Sequence, residues 1–325
     1  MLPSSSHAPT AAVLALLACA PAPAAGPSAE ADYLYLWTAS ADSTQPDFLA
    51  VLDVSEDSAG YGRLVTSLPV PGLQNTPHHT EHEMAADGRL FANGFDSGDT
   101  FVFDLSEPTR PRIAARFGEV DGYSHPHSYL RLPGGHVLAT FQMRHDTAGM
   151  APGGLVELTA EGRPVRSRSG NVPGLDPATR VYSAGVVPAL DRIVTTTTDM
   201  DGDSPASRQL QIWRLSDLAL LHTITLPDGP EGGESMLTAE PRLLDDGRSV
   251  LVSTFSCGLY LIEGLDGEKP SARFVASFPR KPKTYCAIPV IAGRYYLVTV
   301  PAWSAVVSLD ISDPAAVRLT RSKQR

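Results

Sequence analysis

A pattern that returns about every fifty residues constrains this chain more than any other feature. Each unit is an apolar, strand-like run that ends in a polar residue and is followed by a turn rich in Ser, Asp, Glu, Gly and Pro. It occurs at Phe48-Leu-Ala-Val-Leu-Asp53-Val, Phe101-Val-Phe-Asp104-Leu-Ser-Glu-Pro and Gly154-Leu-Val-Glu157-Leu. It returns at Leu210-Gln-Ile-Trp213-Arg-Leu-Ser-Asp, Gly258-Leu-Tyr-Leu-Ile262-Glu and Ala305-Val-Val-Ser-Leu-Asp310-Ile-Ser-Asp-Pro. Intervals between the anchors Asp53, Asp104, Glu157, Trp213, Ile262 and Asp310 lie between 48 and 56 residues. Between anchors a second unit repeats: a strand, a tight turn and a longer strand, with turns at Asp87-Gly88, Pro133-Gly134-Gly135, Ala189-Leu190-Asp191, Asp245-Asp246-Gly247 and Ala292-Gly293. Four strands per repeat joined by hairpins is the arithmetic of a propeller blade. The sequence therefore predicts an all-β chain: one β-propeller domain over residues 32–320, with six blades of four strands, or seven as the alternative. The first blade lacks a clear inner strand ahead of Tyr33.

In a propeller the inner strands line a central channel, so residues that open successive inner strands gather at one mouth. The openers here are rich in metal-binding side chains. His78, His79 and His82 open the second blade, His125 and His127 the third, Val181-Tyr182-Ser183 the fourth, Glu234 to Glu240 the fifth and Tyr285-Cys286 the sixth. Strand alternation predicts that His125 converges with His127 and His78 with His82, while His78 and His79 diverge unless the strand begins irregularly. His78, His79, His127, His82, His125 and Glu240 are the metal-ligand candidates. Imidazoles with a carboxylate suit copper, zinc or iron better than calcium or magnesium. The bland reading, in which these histidines only hydrogen-bond along a polar channel, stands beside it.

Other features carry less. Asp199-Met-Asp-Gly-Asp203 lacks the glutamate of a calcium loop and reads as a solvated acidic turn. Thr195 to Thr198 reads as an exposed strand face, and His136 and His222 as structural. A net charge of -10 offers no basic stripe for a nucleic-acid backbone. No apolar run reaches the length of a membrane helix. Residues 1–25 read as an export signal, with an apolar run from Ala11 to Ala18 and a small-residue tract after Cys19. Leu16-Leu17-Ala18-Cys19 resembles a lipoprotein cleavage box, so the expected location is outside the cytoplasm, either lipid-anchored through Cys19 or secreted. Cys257 and Cys286 would then pair, stay buried as thiols or bind a soft metal.

Asp47-Phe-Leu-Ala-Val-Leu-Asp-Val, Tyr61-Gly-Arg-Leu-Val, Leu68-Pro-Val-Pro-Gly and His78-His79 follow one another in order. Together with His127 ahead of Leu132-Pro-Gly-Gly, and with Leu309-Asp-Ile-Ser-Asp-Pro, they resemble the selenium-binding protein and methanethiol oxidase family. The resemblance runs from about Asp32 to Thr320. It implies a β-propeller and, for the bacterial oxidases, a copper-dependent conversion of methanethiol to formaldehyde, hydrogen sulfide and hydrogen peroxide. By the same resemblance His78, His79 and His127 become metal ligands and a small sulfur compound the substrate. The family's second histidine, three residues after the one matched by His127, is Leu130 here, and its selenium-holding cysteine has no counterpart. Its last blade and histidine-bearing C-terminal segment are not matched in the residues up to Arg325. The expectation is a shortened relative, either an oxidase or a propeller that binds a metal, small ligand or protein without catalysis.

Overall fold

The repeat forms six antiparallel sheets in a ring, which makes the protein a six-bladed β-propeller. The computed structural model describes residues 32–146, 149–175, 179–200, 207–277 and 285–324. The expected leader with Cys19 lies outside these residues, as does the 201–203 part of the acidic turn. No helix among the described residues is long and apolar enough to cross a membrane.

Blade 1 holds β1 (Tyr33–Thr38), β2 (Phe48–Asp53) and β3 (Leu64–Pro69). Blade 2 holds β4 (Pro77–Thr80), β5 (Arg89–Gly94), β6 (Asp99–Asp104) and β7 (Arg112–Phe117). Blade 3 holds β8 (Tyr123–Arg131), β9 (Val137–Asp146), β10 (Gly149–Leu158) and β11 (Pro164–Ser169). Blade 4 holds β12 (Ala184–Val187), β13 (Arg192–Thr196), β14 (Gln209–Arg214) and β15 (Leu220–Thr225). Blade 5 holds β16 (Thr238–Leu243), β17 (Val250–Thr254), β18 (Gly258–Glu263) and β19 (Ser271–Ser277). Blade 6 holds β20 (Pro289–Ala292), β21 (Tyr295–Val300), β22 (Ala305–Asp310) and β23 (Arg318–Gln324). Within every blade the strands pair in chain order.

The anchor aspartates are turn formers. Asp53 Oδ1 accepts the Ser55 amide at 3.0 Å, Asp104 Oδ1 that of Ser106 at 3.1 Å, and Asp310 Oδ1 that of Ser312 at 2.9 Å. A short carboxylate thus satisfies the backbone donor two residues on and ends the strand. Close to each anchor the ladder between third and fourth strands shifts register, and it does so in all six blades. Such bulges add local twist. The shift between β2 and β3 identifies β2 as a third strand, so among the described residues blade 1 has no inner strand ahead of β1, in line with the sequence. In the turn between β4 and β5 of blade 2, Gly88 sits at φ +68°, and a Cβ there would meet the Ser106 amide nitrogen at 3.1 Å. That turn needs glycine.

Apolar residues fill the seams between blades. Phe91, Tyr129 and Phe141 lie between blades 2 and 3; Leu155, Ile193 and Trp213 between 3 and 4; Val194, Ile212 and Tyr260 between 4 and 5. Leu259, Tyr296 and Val307 lie between 5 and 6, and Leu49, Phe101 and Phe103 between 1 and 2. No such cluster joins blade 6 to blade 1 among the described residues. Tyr35 and Trp37 pack toward blade 2, so alternation turns Leu34 and Leu36 to the opposite face, where they are 44% and 40% exposed.

Two features depart from the sequence reading. Thr195 to Thr198 are buried, not an exposed strand face. Thr196, Thr197 and Thr198 donate to the carbonyls of Ala239, Gln209 and Thr238 at 2.6–2.7 Å, and Thr195 accepts from Trp213 Nε1 at 3.0 Å. Hydroxyls can line a buried seam when each finds a partner. Cys257 and Cys286, whose state the sequence leaves open, form a disulfide between the blade 5 hairpin and the approach to β20.

Candidate metal centre

A repeated irregularity shapes the inner strands. Pro77 and Thr80 pair with Gly94 and Ala92, so three steps on β4 oppose two on β5. The same mismatch separates Pro126 and Tyr129 on β8, and Thr238 and Pro241 on β16. Each bulge leaves a backbone N–H without a ladder partner, and a polar side chain of the second strand takes it. Asn93 Oδ1 accepts the His79 amide at 2.6 Å, Thr140 Oγ1 the Ser128 amide at 2.9 Å, and Ser253 Oγ the Glu240 amide at 3.4 Å. In blade 4, Thr196 Oγ1 does the same for Ser183 at 3.1 Å. Bulges re-aim side chains, and these set His78, His79, His127 and Glu240 around the channel.

His78, His79 and His127 form a triad whose donor atoms all lie within 4.8 Å of one another. The ring centroids are 4.5 Å apart for His78 and His79, 4.9 Å for His78 and His127, and 4.3 Å for His79 and His127. His78 and His79 meet rather than diverge, because the bulge breaks the alternation of β4. Asn93 joins the two strands: beside its bond to the His79 amide, its Nδ2 donates to the Pro126 carbonyl at 2.9 Å. Tyr182 lies against His127 with centroids 3.9 Å apart. Ser128 Oγ stands 3.0 Å from His127 Nδ1, and His127 Nε2 faces His78 Nε2.

All three imidazoles are held neutral. Burial pushes His79 down to about 3, with the charges of His82 and Arg242 adding to it. His78 is pushed down to about 4 by desolvation, then by His79, with Glu240 opposing. His127, fully buried, lies well below the ordinary histidine value through desolvation and then repulsion by its two neighbours. Neutral imidazole is the form that ligates a metal.

The remaining candidates stand farther out. His82 Nε2 lies 3.4 Å from Arg242 Nη2, and burial followed by that cation lowers its pKa. Glu240 Oε2 accepts from Ser183 Oγ at 2.7 Å and Arg242 Nη1 at 2.9 Å; Oε1 has no partner among the described residues. His125 is not part of the triad. It sits at φ 56° beside the β8 bulge, and its Nδ1 lies 3.3 Å from Ser124 Oγ. A left-handed residue followed by an extra one breaks the i, i+2 rule. His136 bonds Glu157 at 2.6 Å, in keeping with its structural reading.

The triad is reached from two sides. A mouth cavity of about 440 Å³ is walled by His78, His79, His82, Tyr182, Met200, Phe255, Thr80 and Ile288. A channel cavity of about 860 Å³ touches His79 and His82 and carries Ser183, Glu240 and Arg242 on its polar wall. Bonds of about 2.1 Å to one ion place nitrogens roughly 3 to 4 Å apart, so small ring movements would let all three imidazoles bind a single metal. The residues fit a first-row transition ion with nitrogen ligands. Asn93, Thr140 and Tyr182 were missed as supports. Asn93 stands out in the sequence as a polar residue at the end of the apolar run Leu90-Phe91-Ala92.

No protein-family profile matches the chain. It is 32% identical over 108 residues to the methanethiol oxidase of Hyphomicrobium sp, covering 31% of this chain and 24% of the relative. It is 25% identical over 248 residues to the mouse methanethiol oxidase, covering 68% of this chain and 50% of the relative. The chain thus spans between about a quarter and half of the length of these relatives. Among solved structures, a hypothetical selenium-binding protein from Sulfolobus tokodaii superimposes with a TM-score of 0.73 at 17% identity, over 92% of this chain and 76% of that one. These sequence matches make the chain a distant homologue of proteins named methanethiol oxidase and selenium-binding protein, and the superposition shows a shared fold.

Proposed function

We propose that the protein is an exported oxidase of small thiols such as methanethiol, working at a copper ion held by His78, His79 and His127. The observation that carries this reading is the convergence of three neutral imidazoles with donor atoms within 4.8 Å of one another. Copper would supply one-electron redox chemistry and a soft acceptor for thiolate sulfur. The protein's own residues do the rest. The Tyr182 ring packs against His127, and Asn93 holds the backbone of His79. Phe255, Ile288 and Tyr182 give the mouth cavity an apolar wall that admits a small thiol and limits water. Glu240 and Ser183 offer hydrogen-bond partners on the channel side. The disulfide supports an oxidising, extracytoplasmic location.

The test is metal analysis of purified protein reconstituted with copper, paired with oxygen uptake on methanethiol, for wild type and a His79→Ala/His127→Ala variant. Metal and uptake in the wild type, both lost in the variant, are expected. Metal without uptake would leave a binding propeller in place of an oxidase. No metal after reconstitution would remove the centre altogether.

A further inference from the structure

We propose that the Met200 thioether is a fourth ligand of the triad centre and biases it toward Cu(I). This rests on the copper reading above and adds to it a residue outside the histidine clusters.

The mouth cavity is small, and each wall residue can be weighed as a donor. Phe255 and Ile288 carry no donor atom. The Thr80 hydroxyl donates to the Glu81 carbonyl at 2.8 Å. Tyr182 packs its ring against His127 and Phe255, with centroids 3.9 Å and 5.7 Å away. His82 Nε2 faces Arg242 Nη2 at 3.4 Å. Met200 carries the one soft donor among these wall residues, and a thioether binds without losing a proton.

Met200 is also held in place. Its amide donates to Gln142 Oε1 at 3.2 Å, and Gln142 Nε2 donates to the Val181 carbonyl at 2.7 Å, beside Tyr182. The residue before it is tied by the Arg180–Asp199 ion pair at 3.2 Å. The residue is therefore fixed to the same framework that orients His127. Soft thioether sulfur selects Cu(I), while imidazoles alone serve zinc, copper and iron alike.

The experiment compares wild type, Met200→Leu and protein with selenomethionine in place of methionine, each as the full chain. Cu(I) affinity is measured anaerobically by competition with a chromophoric chelator, Zn(II) affinity in parallel, and copper X-ray absorption on the loaded proteins. Met200→Leu should weaken Cu(I) roughly tenfold or more, leave Zn(II) unchanged, and remove a sulfur scatterer present in the wild type. Selenomethionine should replace that scatterer with selenium. Equal Cu(I) affinity in wild type and Met200→Leu, or no selenium neighbour to copper, would overturn the assignment while leaving the three-histidine centre standing. An equal fall in Zn(II) affinity would also overturn it, as the mark of a merely structural effect. A wild type that binds no copper would overturn both this proposal and the reading on which it rests.

Discussion

His78 Nε2 stands 3.0 Å from His127 Nε2. A hydrogen bond between them needs a proton on one of the two facing nitrogens. Binding an ion between the two rings then requires that proton to move to the other nitrogen of its ring or to leave. Protons compete for the nitrogens only near the lowered pKa values of about 4 for His78 and about 3 for His79. Copper content measured after dialysis should stay level from about pH 8 to 5 and fall only near or below pH 4. Half-loss near pH 6.5 would mean that the rings are not desolvated as described.

Without metal, the same histidines make stability depend on pH. Their folded pKa values lie below the unfolded one, so between roughly pH 6.5 and 4 the unfolded chain binds more protons. The contribution is full above the unfolded pKa and is lost as pH falls through that window. Each of the buried pair His79 and His127 should add a slope of up to about 1.4 kcal/mol per pH unit. Urea unfolding of the apoprotein across this range should show the slope, and His79→Gln/His127→Gln should flatten it.

Replacing Asn93 by Ala removes the acceptor of the His79 amide and the donor to the Pro126 carbonyl. Two buried backbone groups are left unsatisfied, at about 1–3 kcal/mol each. A loss of roughly 2–6 kcal/mol in urea unfolding is expected, with metal affinity reduced about tenfold or more. An unchanged metal affinity would mean that the bulge holds His79 without its partner.

The Cys257–Cys286 bond closes a loop over a sequence separation of 29. Phe255 and Ile288, each two residues from one of these cysteines, wall the mouth cavity. In the chain-entropy picture a loop of this length contributes about 3–4 kcal/mol. Cys257→Ser/Cys286→Ser should therefore lower the urea midpoint by that equivalent. Identical midpoints for oxidised wild type and the double variant would contradict it.

Glu240 is 1% exposed and paired with Arg242. Glu240→Ala leaves a mostly buried guanidinium without its carboxylate and should cost about 3–5 kcal/mol. Glu240→Gln, which keeps an acceptor for Ser183 and Arg242, should cost less. If copper content survives in both, Glu240 is a channel residue and not a ligand.

Much of this protein was legible in the chain itself, because propeller architecture is written in local chemistry. Asp-x-Ser turns at Asp53, Asp104 and Asp310 close on their own backbone, and Asp87-Gly88 needs only its own φ to make a hairpin. Neither depends on distant residues, so their spacing carried the blade count and hence the gathering of His78, His79 and His127. The tertiary structure decided which candidates meet. Strand alternation sends His79 away from His78 and brings His125 to His127, whereas one extra residue in β4 lets His78 and His79 meet and His125 stays out of the triad. Whether an inner strand bulges depends on a neighbour such as Asn93 or Thr140 being in place to take the freed amide. The burial of Thr195 to Thr198 was equally hidden, since their partners lie up to some forty residues away on another strand or blade. Long-range pairing of this kind has no period to read, which is why the fold could be foreseen while the ligand set had to be seen.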